Sequence, residues 1–153
     1  AAPELLFFPD RNHDDKPDGP PEVLLDGWGY QDTHETLNSF IWGPDGWLYG
    51  CHGVFTHSRI GKPGTPDAER QPLNAGIWRY HPVTKEFELF SEGGGNTWGL
   101  DFDKNGQIIA GTNYGNVAML HQVQGAYYVK GFSKHGALHN PHTYGYFEHC
   151  LNR

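Results

Sequence analysis

Phe40-Ile41-Trp42-Gly43-Pro44-Asp45-Gly46-Trp47-Leu48-Tyr49 decides the fold because the pattern recurs 60 positions later. The second copy is Leu100-Asp101-Phe102-Asp103-Lys104-Asn105-Gly106-Gln107-Ile108-Ile109, with Phe40 over Leu100, Trp42 over Phe102 and Gly46 over Gly106. Each copy alternates apolar with other positions, passes through Asp-Gly or Asn-Gly, and resumes with an apolar run. Those dipeptides supply the positive φ of a tight turn, so each copy predicts a β-hairpin.

A second type of hairpin alternates with this inner one. Ile77-Trp78-Arg79-Tyr80-His81-Pro82 turns through Val83-Thr84-Lys85 into Glu86-Phe87-Glu88-Leu89-Phe90. Leu5–Phe8 returning as Glu22–Leu25, and Val117–Leu120 returning as Ala126–Val129, read the same way, and Tyr144-Gly145-Tyr146-Phe147 opens a further inner unit. One inner plus one outer hairpin makes a four-stranded antiparallel sheet, and repetition of that sheet is the plan of a β-propeller. The expected fold is therefore all-β, a partial β-propeller of about two and a half four-stranded blades. The units fall at 1–29 (the end of one blade), 30–92, 93–132 and 133–153 (the start of the next). A small β-sandwich with two similar hairpins is the rival. The stretch from Phe55 to Asn74, with Gly61, Pro63, Gly64, Pro66 and Pro72, reads as a long connection rather than a strand.

Composition agrees. Of 153 residues, 21 are glycine and 11 proline, well above the average of roughly 12% for the two together. The longest window free of both is Tyr30 to Trp42. Interior Gly or Pro costs a helix about 1 to 3 kcal/mol each, which excludes a helical bundle and a doubly wound fold. Five Trp, eight Tyr and nine Phe are too many for a disordered linker. The net charge of −7, without a cluster of Lys or Arg, excludes nucleic acid as partner. No run of eighteen apolar residues is present, so no membrane span is expected. The chain starts Ala1-Ala2-Pro3-Glu4 with neither Met nor signal peptide and is expected to be a processed or truncated fragment of a longer protein. Cys51 and Cys150 are 99 positions apart, open to reading as a disulfide or as two separate half-buried thiols.

The chemistry-bearing cluster is Gln31-Asp32-Thr33-His34-Glu35-Thr36, just ahead of the inner strand at Phe40. In a propeller the segments entering the innermost strands form a mouth of the central channel. An imidazole beside a carboxylate is a candidate general base, because the carboxylate orients the ring and stabilises its protonated form. A histidine that merely caps a turn is the plainer reading.

These residues carry a resemblance. Asp32-Thr33-His34, Phe40 to Gly50, Asn74 to Pro82, Gly95 to Asp103 and His139 to Tyr144 follow, in order, the membrane-bound dehydrogenase domain family of large bacterial multidomain proteins. That family is similar to the soluble quinoprotein glucose and sorbosone dehydrogenases, six-bladed propellers that use pyrroloquinoline quinone and calcium. The resemblance implies a fragment of a six-bladed ring that oxidises a polyol or sugar hydroxyl. It implies His34 as the base that takes the hydroxyl proton, Asp32 as its partner, and Asn96 as a cofactor-binding residue. It further implies a periplasmic or extracellular place, membrane-associated in the full-length protein, and a downstream cytochrome c domain as electron partner; no haem motif lies in this chain. Two departures stand out. Thr33 separates Asp32 from His34 and the spacing to Gly43-Pro44-Asp45 is longer, and Gly95 occupies the place of the Arg that contacts the quinone. Losing that guanidinium removes a charge-assisted contact to an anionic tricarboxylate.

Other clusters are weaker. Asp10, Asn12 and Asp14 alternate as in a calcium loop, but Asp15 stands where glycine should follow and no Glu closes the loop, so a solvated acidic turn is expected. His52, His57, His139, His142 and His149 share no face of a regular element, so no metal site is expected. The tryptophans read mainly as packing between blades, with Trp28 and Trp98 at strand entries where a ligand could reach them. The readings are thus a quinoprotein-like dehydrogenase, a non-catalytic propeller binding carbohydrate or a protein partner, and a calcium-dependent lactonase-type hydrolase.

Overall fold

The computed structural model describes residues 2–112 and 118–128. The described residues are all-β apart from single helical turns, built as small antiparallel sheets of which none closes on itself. Strands β1 (Glu4–Phe7) and β2 (Glu22–Asp26) pair first, with Leu5 opposite Leu25. A single turn, α1 (Thr33–Thr36), then leads into β3 (Asn38–Trp42) and β4 (Leu48–His52). These join β7 (Gly76–Tyr80) and β8 (Phe87–Glu92) in a four-stranded sheet ordered β3-β4-β7-β8. A three-stranded sheet follows, ordered β11-β10-β9, from β9 (Thr97–Phe102), β10 (Ile108–Thr112) and β11 (Met119–Gln122).

The recurrence in sequence is a recurrence in hydrogen bonding. The first turn has Gly43 N–H on the Trp47 carbonyl at 2.8 Å and Gly46 N–H on the Gly43 carbonyl at 3.0 Å. The second has Asp103 N–H on Gln107 at 2.9 Å and Gly106 N–H on Asp103 at 3.0 Å. Gly46 (φ 82°) and Gly106 (φ 77°) take the left-handed position that their dipeptides predict. The two hairpins then pack on each other, β9 lying against β3 and β4.

Alternation along β7 sends its side chains to two cores, because successive strand residues face opposite ways. Trp78 and Tyr80 join Leu5, Leu25, Trp28, Ile60 and Leu73 on one face. Ile77 joins Tyr49, Cys51, Phe90, Ile108 and Ala110 on the other, between the two larger sheets. Full burial of a side chain such as Ile77 or Ile108 contributes about 1.5–3 kcal/mol, and both are nearly inaccessible.

Two segments depart from expectation. The long connection contains strands: β5 (Ser58–Ile60) and β6 (Gln71–Leu73) pair antiparallel, and the hairpin continues onto β2 through a bridge between Asp26 and Gly61. Pro72 sits opposite Arg59 on the outer strand of this two-stranded sheet, where proline's missing N–H costs no ladder bond. The outer return after β11 also differs. Rather than lying beside β11, residues 125–128 run along the end of β8: Gly125 N–H meets the Phe90 carbonyl at 2.7 Å, Glu92 N–H the Ala126 carbonyl at 3.0 Å, and Tyr128 N–H the Glu92 carbonyl at 2.8 Å. Glycine makes this approach feasible, since a Cβ on Gly93 would lie 1.9 Å from the Tyr128 carbonyl oxygen. Val117, Val129, the unit at 133–153 with Tyr144–Phe147, and Cys150 lie outside the described residues.

Candidate functional site

The segment from Gly27 to Asp32 leaves β2 and must reach α1 while its backbone groups find partners. The β5 hairpin and the residues before it supply them. Arg59 N–H meets the Gly27 carbonyl at 3.0 Å, and Gly29 N–H donates to Ser58 Oγ at 2.9 Å. Asp32 N–H donates to Thr56 Oγ1 at 2.9 Å, and that hydroxyl donates back to the Asp32 carbonyl at 3.1 Å. Thr56 and Ser58 are buried, so these bonds are shielded from water. Behind them the Asn74 amide donates to the Val54 and Thr56 carbonyls, each at 2.7 Å, and Ser58 meets Nε2 of the buried His52 at 2.8 Å. His52 Nδ1 faces the Gly53 carbonyl at 2.8 Å, so Nδ1 bears the proton and Nε2 accepts from the serine.

On this frame Asp32 and His34 meet directly. His34 Nδ1 contacts Asp32 Oδ1 while the His34 side chain stays 65% exposed and the Asp32 side chain 28% exposed. The intervening Thr33 is therefore no obstacle: Asp32 precedes α1 with extended backbone, and its carboxylate reaches the ring of His34 in the turn. With Nδ1 on the carboxylate, the neutral ring carries its proton there and Nε2 is the atom left to accept another. The other side of the imidazole rests on Trp98, with ring centroids 5.8 Å apart and 26° between planes. Trp98 is itself about half exposed. The site thus presents a basic nitrogen, a fixed anion and an aromatic plane to solvent.

Asn96, two residues before Trp98, is buried, and its Oδ1 has no hydrogen-bond partner among the described residues. It precedes β9 as α1 precedes β3. The three residues ahead of it, Gly93, Gly94 and Gly95, are all left-handed, at φ 82°, 93° and 74°. Gly95 is also buried. A side chain at that position would have to adopt a conformation L-residues rarely take.

The remaining candidates separate from this site. The acidic segment folds on itself: Asp10 accepts from the Asp14 and Asp15 amides, Asn12 from Asp14, Asp14 from Lys16, and Asp18 from Arg11, all on the exposed surface. Among the described residues no group of three or more His, Cys, Asp or Glu is arranged to hold a metal ion. Trp28 is buried against Trp78 at 5.7 Å, edge to face, out of a ligand's reach, whereas Trp98 is the accessible one of the pair. His57 is exposed beside an ionic cleft framed by Asp26, Arg59, Asp67 and Arg70, whose guanidinium groups are engaged by those carboxylates. Cys51 is fully buried, and burial pushes its thiol up to about 12. His139, His142 and His149 lie outside the described residues.

Asp32, His34 and Trp98 carry signals a sequence can show. Thr56, Ser58 and Asn74 do not, because they act through backbone groups; the one trace is the spacing of Thr56 and Ser58, which puts two hydroxyls on one side of an extended segment. The family profile described as a domain of unknown function (DUF7133) matches residues 1–145. No curated protein and no solved structure matches the chain.

Proposed function

We propose, for a chain that belongs to the family of the domain of unknown function DUF7133, that it forms part of a β-propeller related to sugar and alcohol dehydrogenases. Its Asp32–His34 pair is the general base that removes a proton from a substrate hydroxyl. The observation that carries this reading is the contact of His34 Nδ1 with the Asp32 carboxylate on a largely exposed ring. A hydroxyl arriving at Nε2 gives up its proton to the ring as the hydride on its carbon passes to a separate two-electron acceptor, and Asp32 stabilises the imidazolium that results. General bases of this kind contribute about 10²–10⁴-fold to a rate. Trp98 holds the imidazole plane and offers its own face to the C–H surface of a polyol or sugar.

The hydride partner implied by resemblance, pyrroloquinoline quinone with calcium, is poorly served by the described residues. Gly95, buried and left-handed, offers no cation where one is needed. Arg59, Arg70 and Arg79 are each paired with carboxylates elsewhere. Asn96 is buried rather than presented at a surface. No step is therefore routed through the quinone.

The second reading, a propeller that binds carbohydrate without turning it over, draws on the half-exposed Trp98 beside polar Asp32 and His34. One experiment separates the two. The full-length protein is titrated with pyrroloquinoline quinone and calcium and offered a panel of sugars and polyols with an electron-accepting dye. Dye reduction that disappears in His34→Ala supports the dehydrogenase. Saturable sugar binding without dye reduction, with or without quinone, supports the binding module and overturns the dehydrogenase.

A further inference from the structure

We infer that Thr56 is the positioning residue of the Asp32–His34 pair, acting through the Asp32 backbone from the segment ahead of β5, 24 positions away. The inference rests on the reading of that pair as the working site, but its evidence is separate. A lone hydroxyl that both accepts from Asp32 N–H at 2.9 Å and donates to Asp32 C=O at 3.1 Å holds the peptide units on both sides of the Asp32 Cα rather than one atom. The backbone of Asp32 is extended, φ −146° and ψ 96°, and its side chain makes no cap bond to α1. Within the turn the carboxylate is met only at its tip, by His34. The Cα–Cβ direction from which it starts is set by the backbone that Thr56 holds.

Thr56 is in turn buried and held by its own neighbours. It is inaccessible to solvent, its own carbonyl is taken by the Asn74 amide at 2.7 Å, and Ala75 N–H closes on the Gly53 carbonyl at 3.1 Å. Two positions on, Ser58 accepts from Gly29 N–H in the same way while its hydroxyl meets His52 Nε2. Buried hydroxyl anchors of this kind are the support that holds a catalytic group in one orientation. Asp32 needs it, because α1 is one turn long and His34 is mostly in water.

The test reads the tautomer of His34 and not activity. The chain is labelled with ¹⁵N-histidine, and the His34 ring signals are assigned from their loss in His34→Gln. Held against Asp32, the neutral ring is Nδ1–H; released, it reverts to the Nε2–H form of free imidazole. Wild type and Thr56→Ser are expected to show mainly Nδ1–H, and Thr56→Val mainly Nε2–H with an otherwise native amide spectrum. An unchanged Nδ1–H signal in folded Thr56→Val overturns the inference. Should Thr56→Val not fold, amide exchange in the wild type decides: slow exchange at Asp32 relative to its exposed neighbour Gln31 supports the anchor, and equal rates overturn it. The two readings fail differently. Loss of the tautomer in Thr56→Val without any dye reduction leaves positioning intact and removes the dehydrogenase. His34-dependent dye reduction with an unmoved tautomer does the reverse.

Discussion

Ser39 and Gly99 stand 60 positions apart at equivalent places in the repeat, and they touch: the Gly99 N–H donates to Ser39 Oγ at 2.8 Å. Both are left-handed, at φ 60° and 75°. Both also lie where their hairpins slip register, between Asn38 and Ile41 in β3 and opposite the shift between Ala110 and Thr112 for β9. Each copy thus carries the same bulge, and the bulges meet across the junction of the two sheets. Bulges re-aim strands and raise local twist. Here they sit just past α1 in one copy and Asn96 in the other, and the buried Cys51 sulfur lies against Ser39 and the Gly99 backbone.

Conformation and contact can be separated at this junction. A Cβ on Gly99 meets open space, so Gly99→Ala tests strain alone and is expected to cost about 1–2 kcal/mol. Ser39→Ala keeps the strained backbone and loses the hydroxyl, costing about 0.5–1.5 kcal/mol. Ser39→Gly relieves the strain while losing the bond and should lie near zero. Urea denaturation of the three variants gives the order; equal stability of Gly99→Ala and wild type would show that the left-handed bulge is not required.

How much of this was legible in the residues differs by the kind of signal. Gly46 and Gly106 announce their turns because few residues tolerate positive φ, and the fixed offset carried the hairpins with them. Ser39 gives no such notice, since a left-handed serine looks like any serine. The β5–β6 hairpin was hidden by Pro72, Gly61 and Pro63, which mark loops in general and are tolerated here only because the pair is short and at an edge. Asp32 and His34 were visible as a carboxylate and an imidazole in reach of each other. Their support by Thr56 was not, because that contact runs through the backbone of Asp32, and a peptide group is the same at every position.

Gly93 should be the least replaceable glycine of the chain's described part. It is left-handed, and an added Cβ would lie 1.9 Å from a carbonyl oxygen that cannot swing away as a side-chain tip would. Gly93→Ala is expected to lose about 3 kcal/mol or more, and to free the 125–128 segment from β8. Gly46→Ala, with nothing within 4 Å of the new carbon, should cost only about 1 kcal/mol. Hydrogen exchange at the Glu92 and Tyr128 amides reads the release directly; protection retained in Gly93→Ala would contradict the assigned role.

The Cys51 thiol gives stability a pH dependence with a definite sign. Burial raises it from 9.0 to about 12, so between those values the unfolded chain has lost the proton that the folded chain keeps. The folded state then binds more protons than the unfolded one, and stability falls as pH rises, by up to about 1.4 kcal/mol per pH unit from this group. Tyr49 and Tyr80, also raised by burial, add to the fall above their usual range. Below about pH 8 none of the three contributes an appreciable slope. Chemical denaturation of wild type and Cys51→Ala at pH 8, 9.5 and 10.5 should show the steeper decline in the wild type. Parallel curves would remove the thiol as the cause. The same burial predicts negligible reaction of Cys51 with a thiol reagent at pH 8 until the protein unfolds.

The Asp32–His34 pair is tested most sharply by a substitution that keeps its shape. Asp32→Asn leaves the backbone bonded to Thr56 and the side chain the same size, but replaces the anion beside His34 by a dipole. If the pair is a general base, turnover of a hydroxyl substrate by the full-length protein should drop about 10²–10⁴-fold with little change in KM. His34→Ala should fall by a similar factor, and the double variant hardly further, because the two groups act as one unit. Trp98→Ala, which removes the stacking plane but no proton acceptor, should instead raise KM more than it lowers kcat. A carbohydrate-binding site without catalysis reverses this ranking. Sugar affinity would then depend chiefly on Trp98, since base–aromatic and sugar–aromatic contacts use area rather than charge, and Asp32→Asn would weaken binding by less than tenfold. The comparison of Asp32→Asn with Trp98→Ala therefore decides between proton transfer and recognition even before the substrate is known, because it asks whether charge or aromatic area is what the site cannot lose.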